Sequence, residues 1–263
     1  MKTLSNDGLL AVAERLGVQT LPLVLAAGPR QDSYDEWRAA RERAVAELIT
    51  AEVFDAEGDV DIDLADALYI LAQPDHELVA RGYGPEHTLR GCVAGRAQRY
   101  AVAIRTGDSF DIGTIWCDGS PAALVRPLLD ALGPGEPAAV GGFSAPADEL
   151  AHRLNAAETT GDYADALYAL GVPDRDATVL GSAFGSCHAY TEIVAYSHED
   201  GSTTRAPGAV AVYDTERGRI AAAPMVSPDR QVWSTVTTGT DHRVAQAVAG
   251  LLEGLPGGRW PTP

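Results

Sequence analysis

Lysine is all but missing from this chain. Of its twenty basic side chains only Lys2 is a lysine, and the rest are arginine. A chain with no lysine in its interior builds no Schiff base, no Walker-type phosphate loop and no Ser–Lys hydrolytic pair, because each needs a primary amine at the site. The arginine bias itself fits a GC-rich genome. Positive charge is short altogether, and the formal net charge of -17 repels nucleic-acid phosphates and anionic lipid headgroups. Cysteine is scarce too. Cys92, Cys117 and Cys187 are odd in number, far apart and form no CxxC, which argues against a disulfide framework or a structural zinc and for a reducing compartment. The six histidines show no HxH, HxxxH or HExxH spacing. No apolar run approaches the roughly 18 residues of a membrane-spanning helix. The N-terminal stretch MKTLSNDGLLAVAERLGV carries acids where a signal peptide has its apolar core. These absences point to a cytoplasmic protein without metal or cofactor, bound neither to nucleic acid nor into a membrane.

What is present is a repeat. Asp63 to Asp75 reads DLADALYILAQPD and Asp162 to Asp174 reads DYADALYALGVPD, with nine of thirteen positions identical at an offset of 99. That period is too long for a solenoid, whose units run roughly 20 to 50 residues. Two copies of a unit this size make one pseudo-symmetric domain. Later echoes keep the same order: AVAI at 101–104 with AVAV at 209–212, then LLDAL at 128–132 with LLEGL at 251–255. The halves divide near 1–133 and 134–263.

Within the first half, Ser5-Asn6-Asp7 caps an amphipathic helix that ends at Gly17. Leu21–Leu25 (LPLVL) reads as a short strand, and a long helix starts at Ser33 with Trp37, Ala40, Ala44 and Leu48 at helical spacing. The first copy of the repeated helix follows. Pro74 stops it, and His76–Tyr83 alternates as a strand. Thr88 to Arg105 continues as strand with a bend marked by Gly91 and Gly95. A Thr106-Gly107-Asp108 turn returns the strand 109–116, and Ser120-Pro121 opens a helix. In the second half, Ser144 caps a helix over 146–158 and the repeated helix spans 162–170. The strand 188–197 closes through the loop HEDGSTT, and strands near 209–213, 219–225 and 233–238 precede a final helix from Asp241. In the repeated helix, Leu68, Leu71, Tyr69, Leu167, Leu170 and Tyr168 are expected in the core. The pattern predicts an α+β protein: a quasi-twofold domain with a central antiparallel sheet, flanking helices and a C-terminal helical bundle.

Motifs with catalytic overtones fall away in context. Asp55, Glu57, Asp59, Asp61, Asp63 and Asp66 occupy calcium-loop spacing, but Val60 stands where such a loop needs glycine and Asp66 where it needs a bidentate glutamate. An acidic turn capping the next helix fits better. Gly107-Asp108-Ser109 is a hairpin turn between alternating strands, not the strand end of an esterase. Gly181-Ser182-Ala183-Phe184-Gly185 has its serine in the wrong place for a nucleophile elbow and reads as a flexible connection. Cys187 and His188, adjacent on a strand, point to opposite faces. A hydrolase using Ser109 or Cys187 stays open as an alternative.

The run SPDRQVWSTVTTGTDHRVAQAVAGLLEGLPGGRW, Ser227 to Trp260, resembles the closing segment of EspG-type proteins of actinobacterial type VII (ESX) secretion systems. The shared features are a Ser-Pro turn, a Trp-bearing strand, a Gly-Thr-Asp helix start and a terminal Leu-Pro…Arg-Trp. The LPLVL segment, the Trp-bearing helix and the Leu-rich helix before a proline extend the likeness over nearly the whole chain; segments 84–96 and 198–206 match least. The resemblance implies a cytosolic chaperone that binds the PPE subunit of a PE–PPE heterodimer near its helical tip, keeps it soluble and targets it for secretion, with no cofactor and no turnover. Such a task calls for an apolar patch rimmed by polar groups. The resemblance and apolar exposure together single out Leu89, Val93, Ser182, Phe184, Ala223, Met225, Val226, Ser227, Val232 and Trp233 as partner-binding candidates. The resemblance also leaves open a structural or regulatory module of the secretion locus that binds machinery instead of substrate, and whether the free chain is a monomer or a dimer.

Overall fold

A computed structural model describes residues 1–85, 88–256 and 260, and among these the chain forms eight α-helices and eleven strands. The first half contains β1 (Lys2–Ser5), α1 (Asn6–Arg15), a 3-10 turn (Leu23–Leu25), α2 (Tyr34–Thr50), α3 (Ile62–Ala72), β2 (His76–Tyr83), β3 (Thr88–Arg96), β4 (Arg99–Thr106), β5 (Ser109–Ile115) and α4 (Pro121–Leu132). The second contains β6 (Phe143–Pro146), α5 (Ala147–Ala156), α6 (Thr160–Ala169), α7 (Asp174–Phe184), β7 (Cys187–Glu199), β8 (Ser202–Arg205), β9 (Val210–Thr215), β10 (Gly218–Val226), β11 (Val232–Thr238) and α8 (Asp241–Glu253). The protein is α+β, with every named strand in one antiparallel sheet.

The strand order is β1-β5-β4-β3-β2-β7-β9-β10-β11-β6, with β8 paired to the end of β7. It reads alike from either edge. Each edge is a four-residue strand that runs straight into a helix, and the centre is the β2–β7 pair, in register from His76↔Ser197 to Tyr83↔Tyr190. Short edge strands leave few unpaired backbone groups for another chain to add to.

Alternation along the strands sorts three cores. On one face α4 and α8 cover the middle of the sheet, burying Leu78, Ala80, Val93, Val102, Ile193, Ala195 and Val212. On the other face α1 and α3 pack over Cys92, Ala94, Ala101, Ala103, Phe110 and Ile112. Beyond the centre of that same face, α5, α6 and α7 pack over Ile220, Ala222 and Val236.

Several local expectations are overturned. LPLVL is not a strand: its carbonyls are taken by arginine side chains instead of a neighbouring strand, Arg90 donating to Val24 and Arg105 to Leu25 and Ala26. The stretch 88–105 is two strands, turning at Ala97 and Gln98, both with positive φ, as a two-residue hairpin requires. Gly91 and Gly95 do not bend it. They make room, since a Cβ on Gly91 would lie 2.6 Å from Leu128 of α4 and one on Gly95 2.7 Å from the Trp260 indole nitrogen. Ser144 caps no helix: it lies in β6, with its hydroxyl 2.8 Å from that of Thr235 on β11, and α5 starts at Ala147. The loop 198–206 is largely the β7–β8 hairpin.

The repeated helix is core on its leucine side only. Leu68, Leu71 and Leu167 are buried and Leu170 is half-buried, whereas Tyr69 and Tyr168 are 46% and 62% exposed. One residue is a rotation of about 100° around a helix, so a side chain next to an inward leucine turns out of the core.

Residues 181–185 are no flexible connection. Gly181 to Phe184 end α7, which lies along α6 so closely that a Cβ on Gly181 would sit 2.7 Å from the backbone nitrogen of Ala164 and 2.9 Å from its Cα. Backbone cannot yield as a side chain can. Gly181→Ala gains about 1 kcal/mol of helix propensity but incurs an overpacking cost of about 1–3 kcal/mol. Urea denaturation is therefore expected to show a net loss of stability; a gain would mean the helices slide apart at no cost.

Candidate functional site

Between the two helical groups, one stripe of the sheet is left bare. The helices over the first half stop at β3, and those over the second half reach β9, β11 and β6, so β2 and β7 carry no helix on that face. Leu78 and Ala80 point towards α4, so Glu77, Val79, Arg81 and Tyr83 point the other way; on β7 the same alternation presents Tyr190, Glu192, Val194 and Tyr196. Cross-strand partners Tyr83↔Tyr190, Arg81↔Glu192, Val79↔Val194 and Glu77↔Tyr196 form four rungs. Arg81 and Glu192 are exposed and make no ion pair within 4.0 Å with another described residue. Tyrosine and arginine with a few valines are the composition of protein-contact surfaces, because rigid aromatic rings offer area at low entropic cost.

Aromatic rings extend the stripe towards the second half. Tyr83 and Tyr190 stack at 5.1 Å, Tyr190 and Tyr213 at 6.1 Å, and Phe184 of α7 meets Tyr213 edge-on at 5.2 Å. Burial, and after it the nearby Cys187, Tyr190 and Glu192, push the Tyr213 hydroxyl up to about 12. Tyr190 is raised as well, again mainly by burial. Both phenols therefore stay neutral and available as hydrogen-bond donors at physiological pH.

The opposite wall of the stripe is the 3-10 turn. Arg105, Arg90 and Arg81 stand side by side across β4, β3 and β2. The first two grip the turn's carbonyls, and Arg105 also lies 5.1 Å over the Phe110 ring. Burial, then Arg30 and Arg90, lower the Arg105 pKa. The result is a stiff turn, closed by Ala26 in left-handed conformation, that holds Leu23 95% exposed at the rim. Between turn and β7–β8 hairpin lies a pocket of about 580 Å³, reaching from Leu21 and Leu71 to Arg81, Tyr196 and His198.

The residues singled out from sequence divide among three places. Leu89 and Val93 are buried under α4, not at a surface. Phe184 is buried too, as the inner ring of the aromatic row, and Ser182 is half-buried, accepting a hydrogen bond from Arg217 at 2.7 Å. Ala223, Met225, Val226, Ser227, Val232 and Trp233 do come together, at the far end of the β10–β11 ribbon, with Met225 opposite Trp233 and Val226 opposite Val232. Met225 and Val226 are exposed there. Of segment 84–96, residues 86 and 87 lie outside the described residues, as does Arg259 of the terminal Arg-Trp. Sequence reasoning missed the bare stripe itself. Its signal was present in HELVARGY and HAYTEIVAYS, where the positions opposite the core are charged or tyrosine except for one valine in each central strand.

The acidic turn closes on itself. Asp55 accepts from the amides of Glu57 and Asp59 at 3.0 and 2.7 Å, Asp61 accepts from Leu64 as the α3 cap, and Arg15 donates to the Gly58 carbonyl at 2.7 Å. The cap hydrogen bond first, and Lys2 at 3.4 Å after it, hold Asp61 below the usual carboxylate range. Neither Ser109 nor Cys187 is hydrogen-bonded to a histidine among the described residues, and burial raises the Cys187 thiol. No helix among the described residues is long and apolar enough to cross a membrane.

Comparison with known proteins follows this geometry. A family model described as the EspG family matches residues 5–250. The chain is 31% identical to the ESX-3 secretion-associated protein EspG3 of Mycolicibacterium smegmatis, over 98% of this chain and 88% of that one. It is 29% identical to the ESX-1 secretion-associated protein EspG1 of Mycobacterium tuberculosis, over 97% of this chain and 87% of that one. Among solved structures, the Mycobacterium tuberculosis type VII secretion system chaperone EspG5, in complex with the PE25–PPE41 dimer, superposes with a TM-score of 0.80 over 99% of both chains at 21% identity. At that identity the superposition speaks for the fold.

Proposed function

Because the chain belongs to the EspG family, we propose that it is a non-enzymatic, cytoplasmic chaperone that binds the PPE subunit of a PE–PPE heterodimer, keeps it soluble and delivers it to a type VII secretion system. The observation that carries this reading is the bare stripe over β2 and β7. A sheet whose faces are largely covered by helices leaves a row of tyrosines, a free Arg–Glu pair and a rigid leucine open along its centre. A helical tip laid across it would bury its own apolar side chains against the rings and meet both charges. The solved complex of EspG5 with PE25–PPE41 supports the choice of partner class.

The exposed end of the β10–β11 ribbon, Met225 and Val226 with Trp233, is proposed as a second contact, since methionine adapts to differing partners. We read the chain as two related halves, 1–133 and 134–263, that together frame the stripe. The strand order, alike from both edges, supports this reading. That neither Ser109 nor Cys187 is hydrogen-bonded to a histidine among the described residues weighs against a hydrolase.

Co-expression tests the proposal. A PE–PPE pair encoded in the same genome is expected to become soluble and to co-purify only when this chain is present. If every such pair stays insoluble or elutes alone, while secretion-machinery proteins are retained instead, the chain is a machinery-binding module and not a chaperone.

A further inference from the structure

The stripe ends in the pocket beside the 3-10 turn, and the pocket has a distinct chemistry. Leu21, Pro22, Leu71, Pro74, Val79 and Tyr196 give it apolar walls. Glu77 stands on its floor, with a side chain only 14% exposed. The titratable group facing that carboxylate is His198, whose Nε2 lies 3.4 Å from Oε2, is poorly aligned on it and is itself buried without a well-placed partner among the described residues. The other His198 nitrogen is 3.0 Å from the Thr203 hydroxyl, which holds the ring in place. Arg81 also lines the pocket, at the end away from Glu77. A carboxylate largely removed from water needs donors, and the nearest one here is the His198 ring nitrogen at 3.4 Å, too long and misaligned to satisfy it well.

We propose that this pocket receives a basic side chain, an arginine or lysine carried by the helical partner, with its methylene stem along the apolar walls and its charge on Glu77. Stem and head match the two chemistries of the pocket, because long cationic side chains bury their methylenes while the charged end seeks an acceptor. The Tyr196 ring beside the carboxylate adds a face on which a guanidinium can stack. The occupant is thus a segment of the same partner that covers the stripe, and the inference rests on the chaperone reading above.

Burial also pushes the Glu77 carboxyl up, against the pull of His198. The folded chain then holds that proton more tightly than the unfolded one, so above the ordinary carboxylate range the ionised group subtracts from stability. A residue kept for structure alone would show the opposite.

The test uses Glu77→Gln, which keeps shape and removes charge. Competition with labelled wild-type chain for the PE–PPE pair in the co-purified complex is expected to show affinity lowered about tenfold to a hundredfold, with a Tm no lower than wild type at neutral pH. Affinity within twofold of wild type would overturn the proposal and leave the chaperone reading standing. So would a Tm that falls along with the affinity. A second arm needs no partner. Agmatine, a guanidinium on a short amino-alkyl chain, is titrated into the free protein and followed by amide NMR. Saturable shifts at Val79 and Tyr196 in the wild type that vanish in Glu77→Gln are expected. Their absence in the wild type overturns the proposal, even if no PE–PPE pair binds and the chaperone reading itself has failed.

Discussion

Replacing Arg219 with leucine is expected to lower the unfolding free energy by about 3 kcal/mol, the low end of the range for breaking a buried ion pair. Arg219 is 2% exposed in the middle of the second half. Its Nε donates to Asp214 directly across the β9–β10 pair at 2.6 Å, and Nη2 donates to the Gly133 carbonyl just after α4 at 3.1 Å. Its backbone is equally engaged: its carbonyl accepts from Ala138 at 2.9 Å and Gly239 at 2.8 Å, and its amide donates to Glu136. Gly135 and Gly239 lie against it, each where a Cβ would come within 2.6 Å. The side chain therefore ties β10 to β9 and to the start of the linker 133–138, while the backbone of the same residue holds the rest of the linker and the turn into α8. Leucine leaves the Asp214 carboxylate and the Gly133 carbonyl without their donor. Because Asp214 keeps 21% exposure, water recovers part of the loss, which is why the low end applies. For a domain of this size a loss of that order lowers Tm by roughly 10 °C. The double variant Asp214→Leu/Arg219→Leu removes both charges and is expected to regain part of the stability. A single variant within about 1 kcal/mol of wild type would mean that the pair contributes no more than an exposed one.

Arg219 also shows why parts of this fold could be read from sequence and others could not. The doubled DxADALYxLxxPD and the echoes that follow it fix the order of elements, because duplication copies order even when loops lengthen. Strands with one buried face, such as His76–Tyr83 and Val210–Thr215, announce themselves through alternation. Segments whose backbone is satisfied by distant side chains do not. LPLVL has a strand's composition, yet arginines some 65 to 80 residues further along take its carbonyls. Likewise, Lys2–Ser5 and Phe143–Pro146 are strands only because β5 and β11 offer them an edge. Gly91, Gly95 and Gly181 are close-approach positions, a property of the neighbour and not of the glycine.

The candidate surface was legible only in part for the same reason. Met225 and Val226 are exposed and lie beside the half-buried Val232 and Trp233, while Leu89, Val93 and Phe184 are just as apolar and buried. Apolar character does not say which face of a strand is covered; that depends on where the helices lie. The stripe over β2 and β7 exists because the two helical groups stop on either side of the sheet's centre.

Leu23→Asp is the substitution expected to damage partner binding most while sparing the fold. Leu23 is 95% exposed, so folding gains almost nothing from it, and Arg90 and Arg105 hold its turn through backbone carbonyls that the substitution leaves intact. Its side chain stands at the rim shared by the pocket and the stripe. Full burial of a leucine contributes about 1.5–3 kcal/mol, and an aspartate at the same place would also have to shed its water against an apolar partner. A loss of at least about a hundredfold in affinity follows, in line with a hot-spot residue. Competition with labelled wild-type chain for the PE–PPE pair in the co-purified complex measures the loss, and thermal denaturation is expected to place Tm within about 2 °C of wild type, as for a surface substitution. Leu23→Met, which keeps volume and apolarity, should bind within about threefold. If Leu23→Asp binds as tightly as wild type, the turn is not part of the contact. The partner would then have to approach the stripe from the tyrosine end, over Tyr83 and Tyr190.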